Sequence, residues 1–368
     1  MTPAPGPTMR AVQLTGHGGL DRLRVTRDAP VPVAGPGEVL VRLRASAVNN
    51  TDIATRTAWY ARGDDEEAGA TKIVTFSKRS IAFPRIQGAG GVGIVAAAGE
   101  GVPAGRLGEI VLVDPFIRDA SLAPPAQLSI FMGSGCDGCF ADYVTVPAEN
   151  AIPVRSKLTF AELACLPVAY QTAEEMLDRA GVADGDRVIV TGASGGVGAA
   201  AVALAAVRGA QILAVAGAPK REAVLALGAH QVAARDDDIG AASTALWGEA
   251  GVDVVIDVVG GPGMPALLGC LRRGGHLVCA GAIAGPSAEL DLRVLIYRDL
   301  KVSGVGTSQP GALQRLAALA EEGRLRPAVS RVFPLEDLAS AQEAFLSKTH
   351  VGKICIDIHR ADEQAAHA

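Results

Sequence analysis

The strongest chemical signal in this 368-residue chain is a glycine turn, Arg187-Val-Ile-Val-Thr-Gly-Ala-Ser-Gly-Gly-Val-Gly198. An apolar strand runs into it, and an Ala-rich helix leaves it toward Arg208. In that context the turn suits a dinucleotide pyrophosphate. Gly192 permits the tight bend, Gly195 and Gly196 let backbone N–H groups approach a phosphate, and Gly198 lets the helix pack closely. Ser194 and Val197 lie inside the same turn and join the cofactor-binding set, which rules out Ser194 as a hydrolase nucleophile. The helix N-terminus adds orphan N–H donors and a partial positive charge. A plain strand–helix turn is the simpler alternative. Against it, strand, turn, helix and second strand follow one another in the order a nucleotide site requires.

The residues beyond the turn select the nucleotide. An NAD site places a carboxylate ~20 residues after the glycines, on the ribose 2′-hydroxyl. No Asp or Glu occurs from Gly192 through Arg221. Lys220 and Arg221 stand where a 2′-phosphate would lie, and Arg235 follows a third strand-like segment. This pattern favours NADPH. The alternative is that Lys220 and Arg221 only decorate a helix start, where the dipole does not favour cations. Val258 and Gly260 follow a fourth apolar run, and Gly281 follows a fifth. Carboxyl ends of parallel strands are where a doubly wound sheet holds a nucleotide.

The elements that position these residues fall into regions of different texture. From Met9 to about Val154, short strands alternate with Pro and Gly punctuation, and Glu38–Ala45 alternates apolar and polar residues. This predicts a β-rich domain with a half-solvated sheet. Trp59–Pro84 carries an acidic run, Asp64–Glu67, followed by Lys72, Lys78 and Arg79. It reads as a solvated excursion or as a substrate-shaping loop. From about Lys157 to Leu300 strands and helices alternate. Thr159 and Glu162 have capping-box spacing and open a helix predicted to run through Leu177. Apolar runs at Arg187–Thr191, Ile212–Ala216, Val252–Val259 and His276–Ala280 predict a parallel sheet covered on both faces. Beyond Lys301, helices are predicted at Ala312–Glu322 and Leu335–Leu346 and a strand at Gly352–Ile358. The fold class is α/β, with domains at 9–155 plus 301–368 and at 156–300.

Composition narrows the function classes. Lys plus Arg number 34 and Asp plus Glu 39, giving a net charge of −5, which argues against a nucleic-acid partner. No apolar run reaches the ~18 residues of a membrane span. The segment Met1–Thr8 lacks the features of a secretory signal, so a cytoplasmic location is expected. Six scattered cysteines in a chain this long are expected to be reduced thiols. Cys136 and Cys139 have the spacing of half a zinc site or a redox pair, but no matching second pair of ligands. Two loop thiols without function is the simpler reading. His17, His230, His276, His350, His359 and His367 form no ligand spacing, and no metal is expected.

Taken together, the chain resembles the medium-chain dehydrogenase/reductase superfamily, in its zinc-free quinone oxidoreductase-like branch. The resemblance runs from Met9 to about Ile358. Its carriers are Pro36-Gly-Glu-Val-Leu-Val41, Val48-Asn-Asn-Thr-Asp52, Gly88 to Gly93, Thr191 to Gly198, Leu227-Gly-Ala229, Asp257-Val-Val-Gly260 and Gly352-Lys353. It implies a GroES-like β-rich catalytic domain built from both chain ends, a Rossmann domain between them, catalysis in the cleft, and a homodimer. Zinc-dependent members carry Cys-His where this chain has Asn49-Asn50, Gly-His-Glu where it has Gly88-Ala-Gly90, and a Cys near Val168. Catalytic zinc needs three protein ligands, and none of these positions supplies one. The resemblance also places Asn49 near the nicotinamide ribose and Thr172 near the nicotinamide. Tyr60, eleven residues after Asn49, matches a tyrosine that similar zinc-free reductases place beside the nicotinamide. A structural tyrosine is the alternative. The sequence Gly88-Ala-Gly-Gly91 lacks an acidic residue common in similar proteins, and Trp59–Pro84 is longer than in compact quinone reductases, so a specialised pocket is expected.

Without a Lewis acid a simple carbonyl is poorly polarised. An enone, enoyl thioester or quinone needs less help, because charge delocalises as an enolate that requires a hydrogen-bond donor and a proton. A Tyr60 phenol, protonated at neutral pH, is such a donor. The expected function is NADPH-dependent, zinc-independent reduction of an activated C=C bond or quinone in a small hydrophobic substrate. The alternatives are a zinc-free alcohol or ketone oxidoreductase and a non-catalytic NADPH-binding sensor.

Overall fold

The computed structural model describes residues 6–59, 81–118 and 128–358. Tyr60, most of Trp59–Pro84, His359 and His367 lie outside the described residues. The chain divides into two compact units, one of residues 1–168, 329–349 and 353–368, the other of 169–328 and 350–352.

The first unit is β-rich. Its larger sheet runs in the order Ala151–Pro153, Ile110–Val113, Gly91–Ala98, Glu38–Ala47, Lys353–Asp357 and Val329–Pro334, and Tyr143–Pro147 also pairs with Glu38–Ala47. A smaller sheet places Thr8–Leu14 between Leu23–Pro30 and Arg85–Ile86. The expected half-solvated face holds only in part. Glu38–Ala47 is central, and its Val39, Leu40 and Val41 are all buried, as are Leu43, Ala45 and Ala47. Val39, Val41, Val111, Val146, Phe140 and Ile356 belong to one core.

The second unit is a six-stranded parallel sheet ordered Gln231–Ala233, Gln211–Val215, Arg187–Val190, Val252–Asp257, Leu271–Cys279 and Lys301–Gly304. Counted along the chain this is 3-2-1-4-5-6, the doubly wound Rossmann order. The strand order reverses between Arg187–Val190 and Val252–Asp257, whose carboxyl ends form the switch point where such sheets bind ligands.

Two boundaries differ from the sequence expectation. The units divide after Val168 and Ala328, not after 155 and 300. Lys301–Gly304 pairs parallel with Leu271–Cys279, and helix Ala312–Glu321 packs on helix Gln171–Ala180, so both stay with the parallel sheet. The helix opened by Thr159 is also broken. The capping box forms, with the Glu162 N–H donating to Thr159 Oγ1 at 3.2 Å and the Thr159 N–H donating to Glu162 Oε2 at 2.8 Å. The helix stops after Phe160–Leu163 and restarts at Gln171–Ala180. Between them Pro167 (ψ 147°) and Val168 (φ 64°) leave helical geometry, because proline has no N–H and its ring obstructs the preceding turn.

Candidate active site

Val188, Ile189 and Val190 are wholly buried, which fixes the strand that delivers the turn. Gly192 has φ +55°, and a Cβ there would lie 2.8 Å from Val258 Cγ2. Both facts require glycine. Helix Gly196–Val207 begins after Gly195, and no side chain caps it. Its first N–H groups therefore remain available to an anion. A Cβ on Gly195 would meet only the Gly192 oxygen, at 3.4 Å, so the cradle is open on that side. A Cβ on Gly198 would lie 2.2 Å from the Gly192 oxygen, so only glycine lets the helix start approach the turn at the end of the strand this closely.

A buried carboxylate ties the turn to the neighbouring strand. Thr191 Oγ1 donates to Asp257 Oδ1 at 2.6 Å, and Asp257 also accepts from the N–H groups of Val259 (3.0 Å) and Gly260 (3.2 Å). Asp257 is fully buried. Val258 and Gly260 are thus held at the switch point, where they were expected. Gly260 (φ +65°) and Gly281 also have a packing duty, since a Cβ on Gly281 would lie 2.1 Å from the Val258 oxygen.

The cationic residues separate. Lys220 Nζ donates to Ser194 Oγ at 3.3 Å, placing an ammonium beside the glycine turn. Burial, and then the positive charge of Arg235, hold the Lys220 pKa below the ordinary lysine value. Ser194, Lys220 and Arg235 therefore converge. Arg221 does not join them, because its guanidinium donates to the Val232 oxygen at 2.5 Å and braces strand Gln231–Ala233. Val197 lies half-buried in the first turn of helix Gly196–Val207, and Thr172 is the half-buried second residue of helix Gln171–Ala180.

In the β-rich unit, Asn49 precedes helix Asn50–Arg56, and its side chain is fully engaged. Asn49 Nδ2 donates to the Ala47 oxygen at 2.9 Å, and Asn49 Oδ1 accepts from Lys353 Nζ at 2.5 Å. Lys353 also donates to the Val48 oxygen at 2.6 Å. Asp52 accepts from the Asn49 N–H at 2.8 Å and the Gly88 N–H at 3.2 Å. Burial raises Asp52 to about 6 against these bonds and the Lys353 charge, and burial lowers Lys353. Sequence reasoning gave neither Lys353 nor Asp52 a role. The Asn49-to-Asp52 capping spacing was a readable signal for Asp52, and Gly352-Lys353 marked Lys353 only as part of the resemblance.

Two of the positions matching absent zinc ligands, Ala89 and Val168, are apolar. Ala89 and Val168 cluster with Phe116 and Phe131, whose rings are 5.1 Å apart. Burial pushes the Cys136 thiol up to about 11 and raises Cys139 as well, so neither is a ready thiolate ligand. Among the described residues, no group of three or more His, Cys, Asp or Glu is placed to hold a metal ion. His230 Nδ1 accepts from the Ile212 N–H, and His276 Nε2 bonds to Ser303 Oγ, which are structural tasks. No helix among the described residues is long and apolar enough to cross a membrane.

A doubly wound sheet with a glycine turn at its switch point is the architecture of a nucleotide-binding domain. Comparison with known proteins bears on which kind. Residues 35–156 match the alcohol dehydrogenase GroES-like domain, and residues 196–322 match the zinc-binding dehydrogenase family. The chain is 28% identical over 344 residues to a quinone oxidoreductase of Lama guanicoe, covering 91% of this chain and 93% of that protein. A solved structure from Sinorhizobium meliloti, described provisionally as an alcohol dehydrogenase, is 43% identical with a TM-score of 0.87, covering 96% of this chain and 97% of that one. A cobalt- and zinc-bound thermostable alcohol dehydrogenase of Pyrobaculum aerophilum is 29% identical with a TM-score of 0.80, covering 95% of this chain and all of that one. The chain belongs to the medium-chain dehydrogenase/reductase superfamily. It is an oxidoreductase of that family, and the family implies a nicotinamide cofactor.

Proposed function

We propose that this protein is an NADPH-dependent, zinc-independent reductase of activated C=C bonds or quinones. The observation that carries the reading is an apolar cluster in which Ala89 and Val168, at positions matched to metal ligands of zinc-dependent relatives, pack with Phe116 and Phe131. A site walled by methyls and rings offers no donor for a metal and suits a hydrophobic acceptor. Ser194, Lys220 and Arg235 support NADPH, since two cations and a hydroxyl suit the 2′-phosphate that NADH lacks.

The residues of the glycine turn fit the pyrophosphate, which the open cradle at Gly195 and the uncapped helix start would hold. Bound there, the nucleotide supplies a hydride. The protein's own part is orientation and charge. Asn49, held by Lys353, would lie near the nicotinamide ribose and Thr172 near the nicotinamide, as the resemblance implies, and Tyr60 would donate a hydrogen bond to the oxygen that gains negative charge. The alcohol dehydrogenase description of the Sinorhizobium meliloti relative supports a second reading, carbonyl–alcohol interconversion. A homodimer is proposed through the edge strand Lys301–Gly304 and the exposed Leu292, Ile296 and Tyr297 beside it.

The test is fluorescence titration with NADPH and NADH, then oxidation by quinones, enones, enoyl thioesters and ketones, with and without a zinc chelator. The expected result is tighter NADPH binding and chelator-insensitive turnover on enones or quinones. Tyr60→Phe is expected to slow turnover with NADPH affinity retained. Chelator-sensitive turnover, or preference for NADH, would overturn the proposal.

A further inference from the structure

Two buried nucleophiles take no part in the proposed reaction. Cys165 follows the short helix Phe160–Leu163, and Cys355 lies in strand Lys353–Asp357. Their sulfurs are 3.6 Å apart, and both residues are fully buried. Each sulfur also lies 3.3 Å from the Ala161 oxygen. Lys353 precedes Cys355 by two residues and so shares its face of the strand. The hydrogen bond from Cys165, together with the Lys353 charge, holds the Cys355 thiol below its ordinary range. Burial and the neighbouring Cys355 push Cys165 up.

We propose that Cys165 and Cys355 form a reversible disulfide when the protein meets hydrogen peroxide. The Cys355 thiolate attacks one peroxide oxygen, the O–O bond breaks, and sulfenic acid and hydroxide result. The Cys165 sulfur then attacks the Cys355 sulfur, and the displaced hydroxide leaves with the Cys165 proton as one water; the hydroxide of the first step takes the proton released when Cys355 ionised, giving the second. Overall the two thiols lose two electrons and one peroxide becomes two waters. Closing 3.6 Å to a bond of about 2.05 Å needs a sulfur movement within reach of side-chain rotation. Full burial selects the oxidant. A small neutral peroxide can enter through local opening, whereas glutathione disulfide is too large and too charged. The other thiols lack this arrangement, since Cys136 and Cys139 are both pushed up by burial.

The disulfide also removes the two thiols that face Lys353, whose ammonium holds Asn49, and leaves it Asp52 alone. This consequence rests on the proposed role of Asn49, but the bond itself does not. The experiment is peroxide treatment of the native full-length protein, denaturation, alkylation of remaining thiols, and peptide mass spectrometry. A Cys165–Cys355 linked peptide that dithiothreitol cleaves is expected, with little formed by glutathione disulfide. Cys165→Ala is expected to leave a Cys355 sulfenic acid that dimedone traps. NADPH is expected to bind the oxidised protein ~10-fold more weakly, the scale of one charge-assisted hydrogen bond. Alkyl label on both Cys165 and Cys355 after peroxide treatment would overturn the disulfide. A linked peptide with unchanged NADPH affinity would instead remove only the connection to Asn49.

Discussion

Thr191 donates to Asp257 at 2.6 Å, and the Val258 N–H donates back to Thr191 Oγ1 at 3.1 Å. Thr191 follows strand Arg187–Val190 and Asp257 ends the adjacent strand Val252–Asp257, at the point where the sheet reverses its order. The exchange ties the glycine turn to the segment Val258–Gly260.

Removing that tie is expected to cost both stability and binding. Asp257→Ala leaves the Val259 and Gly260 N–H groups without their acceptor. The expected loss is about 2–4 kcal/mol, the scale of orphaned buried polar groups. Urea unfolding reads the stability, and NADPH titration at a temperature where the variant is folded reads the site. Unchanged NADPH affinity in a folded, destabilised variant would show that the network serves the sheet alone.

The cation pair gives a sharper test of nucleotide choice. Lys220→Ala and Arg235→Ala are each expected to weaken NADPH binding ~10-fold or more and to leave NADH nearly unchanged, since a charge-assisted contact is worth about 1.5–3 kcal/mol. Arg221→Ala is expected to act differently. Its guanidinium braces Val232, so it should lower stability with a smaller effect on the NADPH-to-NADH ratio. Equal weakening of both nucleotides by Lys220→Ala would remove the 2′-phosphate argument.

Local patterns were legible in the sequence and distant pairings were not. The turn at Gly192–Gly198 could be read because strand, glycines and helix are contiguous. The parallel sheet followed from runs of Val, Ile and Leu that only burial on both faces explains. Lys301–Gly304 escaped because it is an edge strand, with a mostly exposed pattern and no apolar run. The break at Pro167 was signalled by the proline, but the apolar texture continues across it. Lys353 and Asn49 are 304 residues apart, and Thr191 and Asp257 are 66 apart, so no local spacing announces either contact. The convergence of Ala89 and Val168 is likewise a product of the fold.

The edge of the parallel sheet carries a prediction about assembly. Val302 in strand Lys301–Gly304 is half-exposed, and Ile296 and Tyr297 are 62% and 73% exposed. An open strand edge beside apolar side chains invites pairing with a second copy. Ile296→Asp with Tyr297→Asp is expected to convert a dimer to a monomer in light scattering, with the far-UV spectrum retained. A wild-type protein that is monomeric at micromolar concentration would refute the interface.

Asp52 supplies a test of the buried charges that hold Asn49. Its pKa is raised by burial from the ordinary 3.8 to about 6. The folded state therefore binds a proton more tightly than the unfolded state. The stabilisation this gives is complete below pH 4 and is lost as pH rises through 6. A shift of about two units corresponds to on the order of 3 kcal/mol. Asp52→Asn disturbs the bonds from Asn49 and Gly88, so it should be less stable at low pH. The gap is expected to narrow between pH 4 and 7, because only the wild type must bury a carboxylate. Chemical unfolding of both proteins at half-unit pH intervals measures this directly. Parallel stability curves across that window would mean that Asp52 is already ionised at pH 4 and that Lys353 outweighs its burial.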